Sequence, residues 1–196
     1  MDSNKFYIIH FPLISMERGF VHIYWGNGKG KTTAALGAAL RACGAGFSVH
    51  LIQFMKNALS PEELPGEIKA LEKISNFSFK QFGPGTFFAP NTKSPEEKAV
   101  HIEKAHEALS YLLSSFNENY DIIIADEILY AVQFSLITEK EVIDLIKSKP
   151  KNKELILTGS HMPFPNIFEL SDLITEMRKQ KHPYDEGIRA RKGIEF

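Results

Sequence analysis

The sequence predicts an α/β fold in a single domain, a parallel sheet with helices on both faces. Three observations predict it. Short β-rich runs alternate with helical patterns along the chain, the order expected of a parallel sheet covered by helices. Several of those runs are continuously apolar, which suits strands buried on both sides better than a sheet with one wet face. The first run passes directly into a glycine-rich turn and then a helix, a unit that parallel nucleotide-binding sheets use. The 196 residues make one ordinary domain, or one with an appendage, and are enough for a sizeable core.

Taken in chain order, the N-terminal stretch "KFYIIHFPLIS" is too short to span a bilayer, contains His10 and Pro12, and is not followed by a small-residue cleavage site. We expect either a small apolar flap or sequence upstream of a start at Met16. The strands are "FVHIYW", "SVHLIQF", "FSFKQF", "DIIIAD" and "ELILTG", with "DLITEM" as a sixth. A helix should run from Thr32 to about Ala42 and stop at Gly44 and Gly46. A second begins at Ser94, where Glu97 completes a capping box, and a third at Thr138 with Glu141. The segment from Gly83 to Lys93, "GPGTFFAPNTK", sets turn formers on both sides of two phenylalanines and reads as a long loop, where function often lies.

Composition narrows the function. Lys and Arg total 23 against 24 Asp and Glu, a net charge of -1, so nothing global attracts the chain to nucleic acid or an anionic membrane and any anion binding must be local. A single cysteine, Cys43, excludes an internal disulfide and a multi-cysteine zinc site, which fits the cytoplasm.

The local anion site is the stretch "GNGKGKTT", from Gly26 through Asn27, Gly28, Lys29, Gly30, Lys31 and Thr32 to Thr33. A strand entering glycines, then Lys-Thr-Thr, then a helix is the layout of a phosphate-binding loop, and it makes the sheet P-loop NTPase-like. The glycines let several N–H groups turn inward, and the helix N-terminus adds partial positive charge at the same spot. Lys31 supplies a full charge. Thr32 offers a hydroxyl to a phosphate-bound Mg2+ or Mn2+, with Thr33 as a neighbouring donor. The strict pattern wants glycine five positions before Gly30, where Trp25 stands, so the loop is a variant. The metal's second ligand is expected at the end of a buried strand, and "DIIIADE" provides Asp126 and Glu127.

Four separated segments resemble one family, the ATP:corrinoid adenosyltransferases. "GNGKGKTTAALGAALRACGAG" is similar to that family's variant phosphate loop and following helix, and "VHLIQFMK" to its second strand. "DEILYAV" resembles its acidic segment, and "EMRKQKHPYDEGIRARKGIEF" its ending. The resemblance covers residues 19–196, which we read as the adenosyltransferase domain, and leaves residues 1–18 as an N-terminal extension. It implies a reaction in which Co(I) of a corrinoid attacks the 5′ carbon of ATP and intact triphosphate leaves, with no phosphoryl transfer.

By the resemblance, Gly26 to Thr33 hold the triphosphate, Arg41 reaches the nucleoside, Asp126 sits by the metal and Glu127 by the ribose. Lys29 and Lys31, with Mg2+ and backbone N–H groups, would stabilise the leaving triphosphate, and no general base is needed. We therefore leave His161 and His182 out of catalysis. Phe87 and Phe88 would face the corrinoid and disfavour its lower ligand, although a common family version has Thr-Trp at these two positions. The family's frequent Thr-Gly-Arg after the fifth strand appears here as Thr158, Gly159, Ser160. The resemblance further implies a homodimer and an electron-donating reductase as partner. A small-molecule kinase and a nucleotide-gated ATPase or switch could use the same loop.

Overall fold

A computed structural model describes residues 16–58, 60–85 and 94–194. Six strands form one all-parallel sheet: β1 (Val21–Trp25), β2 (Val49–Phe54), β3 (Phe77–Phe82), β4 (Ile122–Asp126), β5 (Glu154–Thr158) and β6 (Leu173–Glu176), in the order β3-β2-β4-β5-β1-β6. These are the six runs expected from the sequence. The helices are α1 (Lys31–Gly44), α2 (Gly66–Leu71), α3 (Pro95–Ser115), α4 (Ile128–Gln133), α5 (Glu139–Ser148) and α6 (Pro165–Phe168).

The continuously apolar strands are the ones covered on both sides. In β4 every residue is buried, and its side chains alternate between two cores. Ile122 and Ile124 pack with Leu36 and Ala39 of α1, whereas Ile123 and Ala125 pack with Leu109 of α3 and Leu129 of α4. Each such fully buried isoleucine or leucine contributes about 1.5–3 kcal/mol relative to leaving it exposed. The edge strand β6 is mostly exposed, and only two of its four residues are apolar.

The helix boundaries follow local chemistry. Ser94 and Glu97 exchange both hydrogen bonds of a capping box at the start of α3, and Thr138 and Glu141 do the same for α5. Helix α1 starts one residue before the expected Thr32 and runs to Gly44; Gly46 follows in a left-handed conformation, its N–H donating to the Cys43 carbonyl. Among the described residues no helix is long and apolar enough to cross a membrane.

One polar residue inside the sheet stands out. His50, in the buried β2, has its ring stacked on Tyr120 with centroids 4.4 Å apart, and its Nδ1 lies 2.7 Å from Ser78 Oγ on the neighbouring β3. Burial, with the nearby Lys80 charge, lowers its pKa to about 4, a Ser78 hydrogen bond opposing.

Candidate active site

Because all six strands are parallel, their carboxyl ends share one edge, where open α/β sheets bind ligands. The loop after β1, the acidic residues after β4 and the segments leaving β2 and β5 meet there. The loop itself is held from behind by the chain that follows β6. Gly26 N–H donates to the Ser160 carbonyl at 3.0 Å and Gly28 N–H to the Met177 carbonyl at 2.6 Å. A Cβ on Gly26 would come within 2.5 Å of that carbonyl oxygen, and one on Gly28 within 2.7 Å. Two of the N–H groups expected to face an anion are thus committed to the protein, and those two glycines permit close approach of backbone. Gly30 differs: its φ is 111°, nothing lies within 4 Å of a Cβ placed there, and it caps α1. The N–H groups of the first turn of α1, from Lys31 to Thr33, have no partners within the helix, an arrangement that can accept an anion.

Lys31 curls back over the loop, donating from Nζ to the carbonyls of Gly26 at 2.7 Å and Gly28 at 3.0 Å. Its ammonium lies 5.6 Å from the centroid of the Tyr130 ring. Burial lowers its pKa from the usual lysine range, offset in part by the charges of Glu127 and Asp126. Lys29 and Asn27 turn the other way, toward the C-terminal segment. Lys29 Nζ donates to the Ile194 carbonyl at 2.7 Å, and Asn27 Oδ1 accepts from Lys179 N–H at 2.9 Å. Thr33 is exposed. Arg41 stands in the last turn of α1, ten residues beyond Lys31 and so about 15 Å along the helix axis. The chain does not bring it to the loop.

Asp126 is the centre of the site. It is fully buried, and four donors converge on its carboxylate. Thr32 Oγ1 donates to Oδ1 at 2.8 Å and Thr158 Oγ1 to the same oxygen at 2.6 Å. Gln53 Nε2 donates to Oδ2 at 2.8 Å and Lys56 Nζ at 2.9 Å. A carboxylate has about four lone-pair positions, so Asp126 is saturated. Burial by itself pushes this carboxyl up, but the Lys56 ammonium and the bonds from Thr158, Lys56 and Gln53 outweigh it and hold the pKa below the usual range.

Glu127 follows in a left-handed conformation, φ 67°, with its N–H bonded to Thr158 Oγ1 at 3.0 Å and its Oε1 3.5 Å from Lys56 Nζ. Burial and the adjacent Asp126 charge raise its pKa, against the pull of Lys56 and Lys31. Lys56 is pushed up in turn: the two carboxylates more than offset its burial.

The donor set fits a hard cation. By giving its proton to Asp126, the Thr32 hydroxyl leaves its oxygen lone pairs free toward the loop. Among the described residues no group of three or more His, Cys, Asp or Glu could hold a metal. A Mg2+ ion here would therefore take the Thr32 hydroxyl, at most one carboxylate, and phosphate oxygens with water, a set that suits Mg2+. With its acceptors filled, Asp126 acts through Thr32 unless a donor leaves.

Beside the loop a cavity of about 410 Å3 opens between Phe54, Tyr130, Phe134 and His161, with Lys56 and Glu127 at its polar end. The Tyr130 and His161 rings meet edge to face at 5.1 Å. Burial and then the Lys31 charge lower the His161 pKa, which favours the neutral ring. Ser160, where the resemblance leads one to look for arginine, is fully buried; its hydroxyl donates to the Met162 carbonyl at 2.6 Å and accepts from Met162 N–H at 2.9 Å. Phe87 and Phe88 lie outside the described residues.

Sequence reasoning brought forward Thr32, Lys31, Asp126 and Glu127, and the fold assembles them. It passed over Gln53, Lys56, Tyr130 and Thr158. A usable signal was present for two of these, since a glutamine inside an apolar strand and a lysine just past its end both call for a partner.

A parallel sheet with a glycine loop entering α1, and a buried strand-end aspartate bonded to the loop's threonine, defines a protein of the P-loop NTPase-like class. Within that class, the family model for ATP:corrinoid adenosyltransferase BtuR/CobO/CobP matches residues 17–196. The chain is 32% identical over 180 residues to the corrinoid adenosyltransferase of Escherichia coli, covering 92% of this chain and 87% of that one. It is likewise 32% identical to the corrinoid adenosyltransferase CobA of Salmonella typhimurium over 180 residues, with the same coverage. Against the corrinoid adenosyltransferase of Pseudomonas aeruginosa it is 31% identical over 180 residues, 92% of this chain and 85% of that one. The chain belongs to the ATP:corrinoid adenosyltransferase family and is an enzyme of that type.

Proposed function

We propose that this enzyme transfers the 5′-deoxyadenosyl group of ATP to the Co(I) centre of a corrinoid and releases triphosphate. The cobalt supplies the electron pair of the new Co–C bond and becomes Co(III), while the C5′–O bond breaks and its pair departs with the triphosphate. The observation that carries this reading is the family match over residues 17–196, joined to a glycine loop and first-turn N–H groups of α1 that suit a triphosphate.

The residues divide the work. The first-turn N–H groups of α1 and Lys31 face the triphosphate; to bind it, Lys31 exchanges two backbone carbonyls for phosphate oxygens. A bound Mg2+ or Mn2+ would neutralise charge building on the leaving group. Thr32 would hold that ion, with Asp126 fixing the hydroxyl. The apolar cavity beside Lys56 and Glu127 excludes water from one side of the reacting carbon, and Glu127 at its polar end is in reach of a ribose hydroxyl. Lys29 contributes by tying the C-terminal segment across the loop. Arg41, about 15 Å along α1 from Lys31, is assigned to the nucleoside by the family resemblance, and the homodimer likewise. Phe87 and Phe88 are assigned to the corrinoid face, and Gly85, just before them, lines a second cavity beside Lys56. An external reductase supplies the electron that makes Co(I), and the enzyme works in the cytoplasm.

Phosphorus NMR of the products tests the reading. Triphosphate must appear, and only when reduced corrinoid is present. ADP as product would favour a kinase instead, and slow release of ADP with phosphate a nucleotide switch.

A further inference from the structure

The strand ends around Asp126 contain a cation to which the proposed reaction assigns no role. Lys56 follows β2 by two residues, and Met55 between them has φ 57°, a left-handed conformation that costs a non-glycine residue about 1–3 kcal/mol. On the neighbouring β4, Glu127 occupies the same region with φ 67°. Two adjacent strands thus both end in strained residues. The turns direct Lys56 and Glu127 toward each other, and the Lys56 ammonium rests 2.9 Å from Asp126 Oδ2 and 3.5 Å from Glu127 Oε1.

We propose that Lys56 is the resident cation of this carboxylate pair, filling the place of a divalent ion until metal arriving with the triphosphate displaces it. The inference rests on the reading that a metal–triphosphate binds at this loop.

Of the four donors on Asp126, Lys56 alone is free to leave. Gln53 and Thr158 stand on central strands, and Thr32 is fixed in the first turn of α1. Lys56 lies outside any helix or strand, and its side chain is 34% exposed while that of Asp126 is 0%. Space exists on both sides of it: the cavity of about 410 Å3 next to Tyr130 and one of about 270 Å3 next to Asn57 and Gln81 both include Lys56 in their walls. A flexible four-carbon stem lets the head move between them.

Charge then sets the order of binding. With Lys56 in place, two carboxylates carry a net charge of about -1, so a free divalent ion gains little by expelling an ammonium. A triphosphate brings oxygen ligands for the metal and an anionic partner for the displaced lysine. Metal without nucleotide is turned away, and departure of Lys56 opens Oδ2 of Asp126 to the ion.

The test is a Mn2+ titration of the full chain without nucleotide, followed by electron paramagnetic resonance. Lys56→Met should bind Mn2+ about tenfold more tightly than wild type, and Lys56→Arg should stay close to wild type. Unchanged Mn2+ affinity in a Lys56→Met protein with native circular dichroism overturns the proposal. Should that variant not fold, the wild type still decides. In protein carrying 13C at the lysine ε position, Mg2+ alone should leave the Lys56 resonance in place, and Mg2+ with ATP should shift it. A resonance unmoved by Mg2+ with ATP overturns the proposal while leaving the reading of the reaction intact. Adenosylation undiminished in excess chelator removes the metal from that reading, and this proposal with it.

Discussion

Thr32 Oγ1 donates a 2.8 Å hydrogen bond to Asp126 Oδ1, joining the phosphate loop to a strand end 94 residues away. The bond orients the Thr32 hydroxyl and leaves its oxygen lone pairs available to the proposed metal–triphosphate. Thr32→Val should raise the Mg2+ concentration for half-maximal activity by about tenfold or more, with little change in melting temperature, because one oxygen ligand is lost and the volume is kept. Asp126→Asn should cost stability as well. An amide cannot accept from four donors, and its NH2 would face either the two hydroxyls or the Gln53 amide and the Lys56 ammonium. We expect about 3–5 kcal/mol, the scale for breaking a buried ion pair, read by chemical denaturation. Full activity of either variant in excess chelator would show that no metal is held here.

Lys31→Ala should reduce turnover by about a hundredfold to a thousandfold, the usual loss on removing one preorganised donor to a developing anion. The fold should survive, since among the described residues the Lys31 ammonium bonds two loop carbonyls and rests near the Tyr130 ring, none of them in the core. Circular dichroism and single-turnover kinetics check both parts. Retention of more than half the wild-type rate would rule out this role.

How much of this was legible in the sequence depends on how far apart the partners lie. The capping boxes at Ser94 and Thr138 are three-residue patterns and could be read directly, as could six apolar runs and the turn from Trp25 into α1. The residues that complete Asp126 could not. Gln53 faces Asp126 because β2 and β4 are neighbours in a register that pairs those two residues, and Thr158 does so because β5 lies on the other side. Register and strand order are long-range properties, so a local pattern could mark Gln53 and Lys56 as needing partners without naming Asp126 as that partner, and Thr158 carried no local signal. Arg41 is assigned to the nucleoside by the resemblance alone; 1.5 Å of rise per residue puts it about 15 Å along α1 from Lys31.

His50 makes stability depend on pH. Its folded pKa of about 4 lies below the unfolded value near 6.5, so the unfolded chain binds the extra proton between those two values. The stabilisation is complete above pH 6.5 and is lost as pH falls toward 4. From this group alone the protein should be about 2 kcal/mol less stable at pH 5 than at pH 7.5. Comparing urea midpoints of wild type and His50→Phe at the two pH values isolates the effect, since the ring that stacks on Tyr120 is kept. An equal pH dependence in both proteins would assign the proton uptake to other groups.

The glycines of the loop should separate into two kinds. Gly28→Ala forces a methyl group against the Met177 backbone, 2.7 Å from its carbonyl oxygen, where the same carbonyl accepts the Gly28 N–H. The chain after β6 must shift, at about 1–3 kcal/mol, the usual cost of overpacking. Trypsin should then cut sooner at Arg178, Lys179 and Lys181, since the segment that docks on Asn27 is released. Gly30→Ala meets no neighbouring atom but must keep φ near 111°, a conformation disfavoured for alanine. Its strain falls where the first-turn N–H groups of α1 are presented. This variant should lose ATP affinity while its tryptic pattern stays that of the wild type. Equal effects on cleavage and on nucleotide binding in both variants would mean that the loop and the segment after β6 move as one unit, and that Gly28 and Gly30 share a single role.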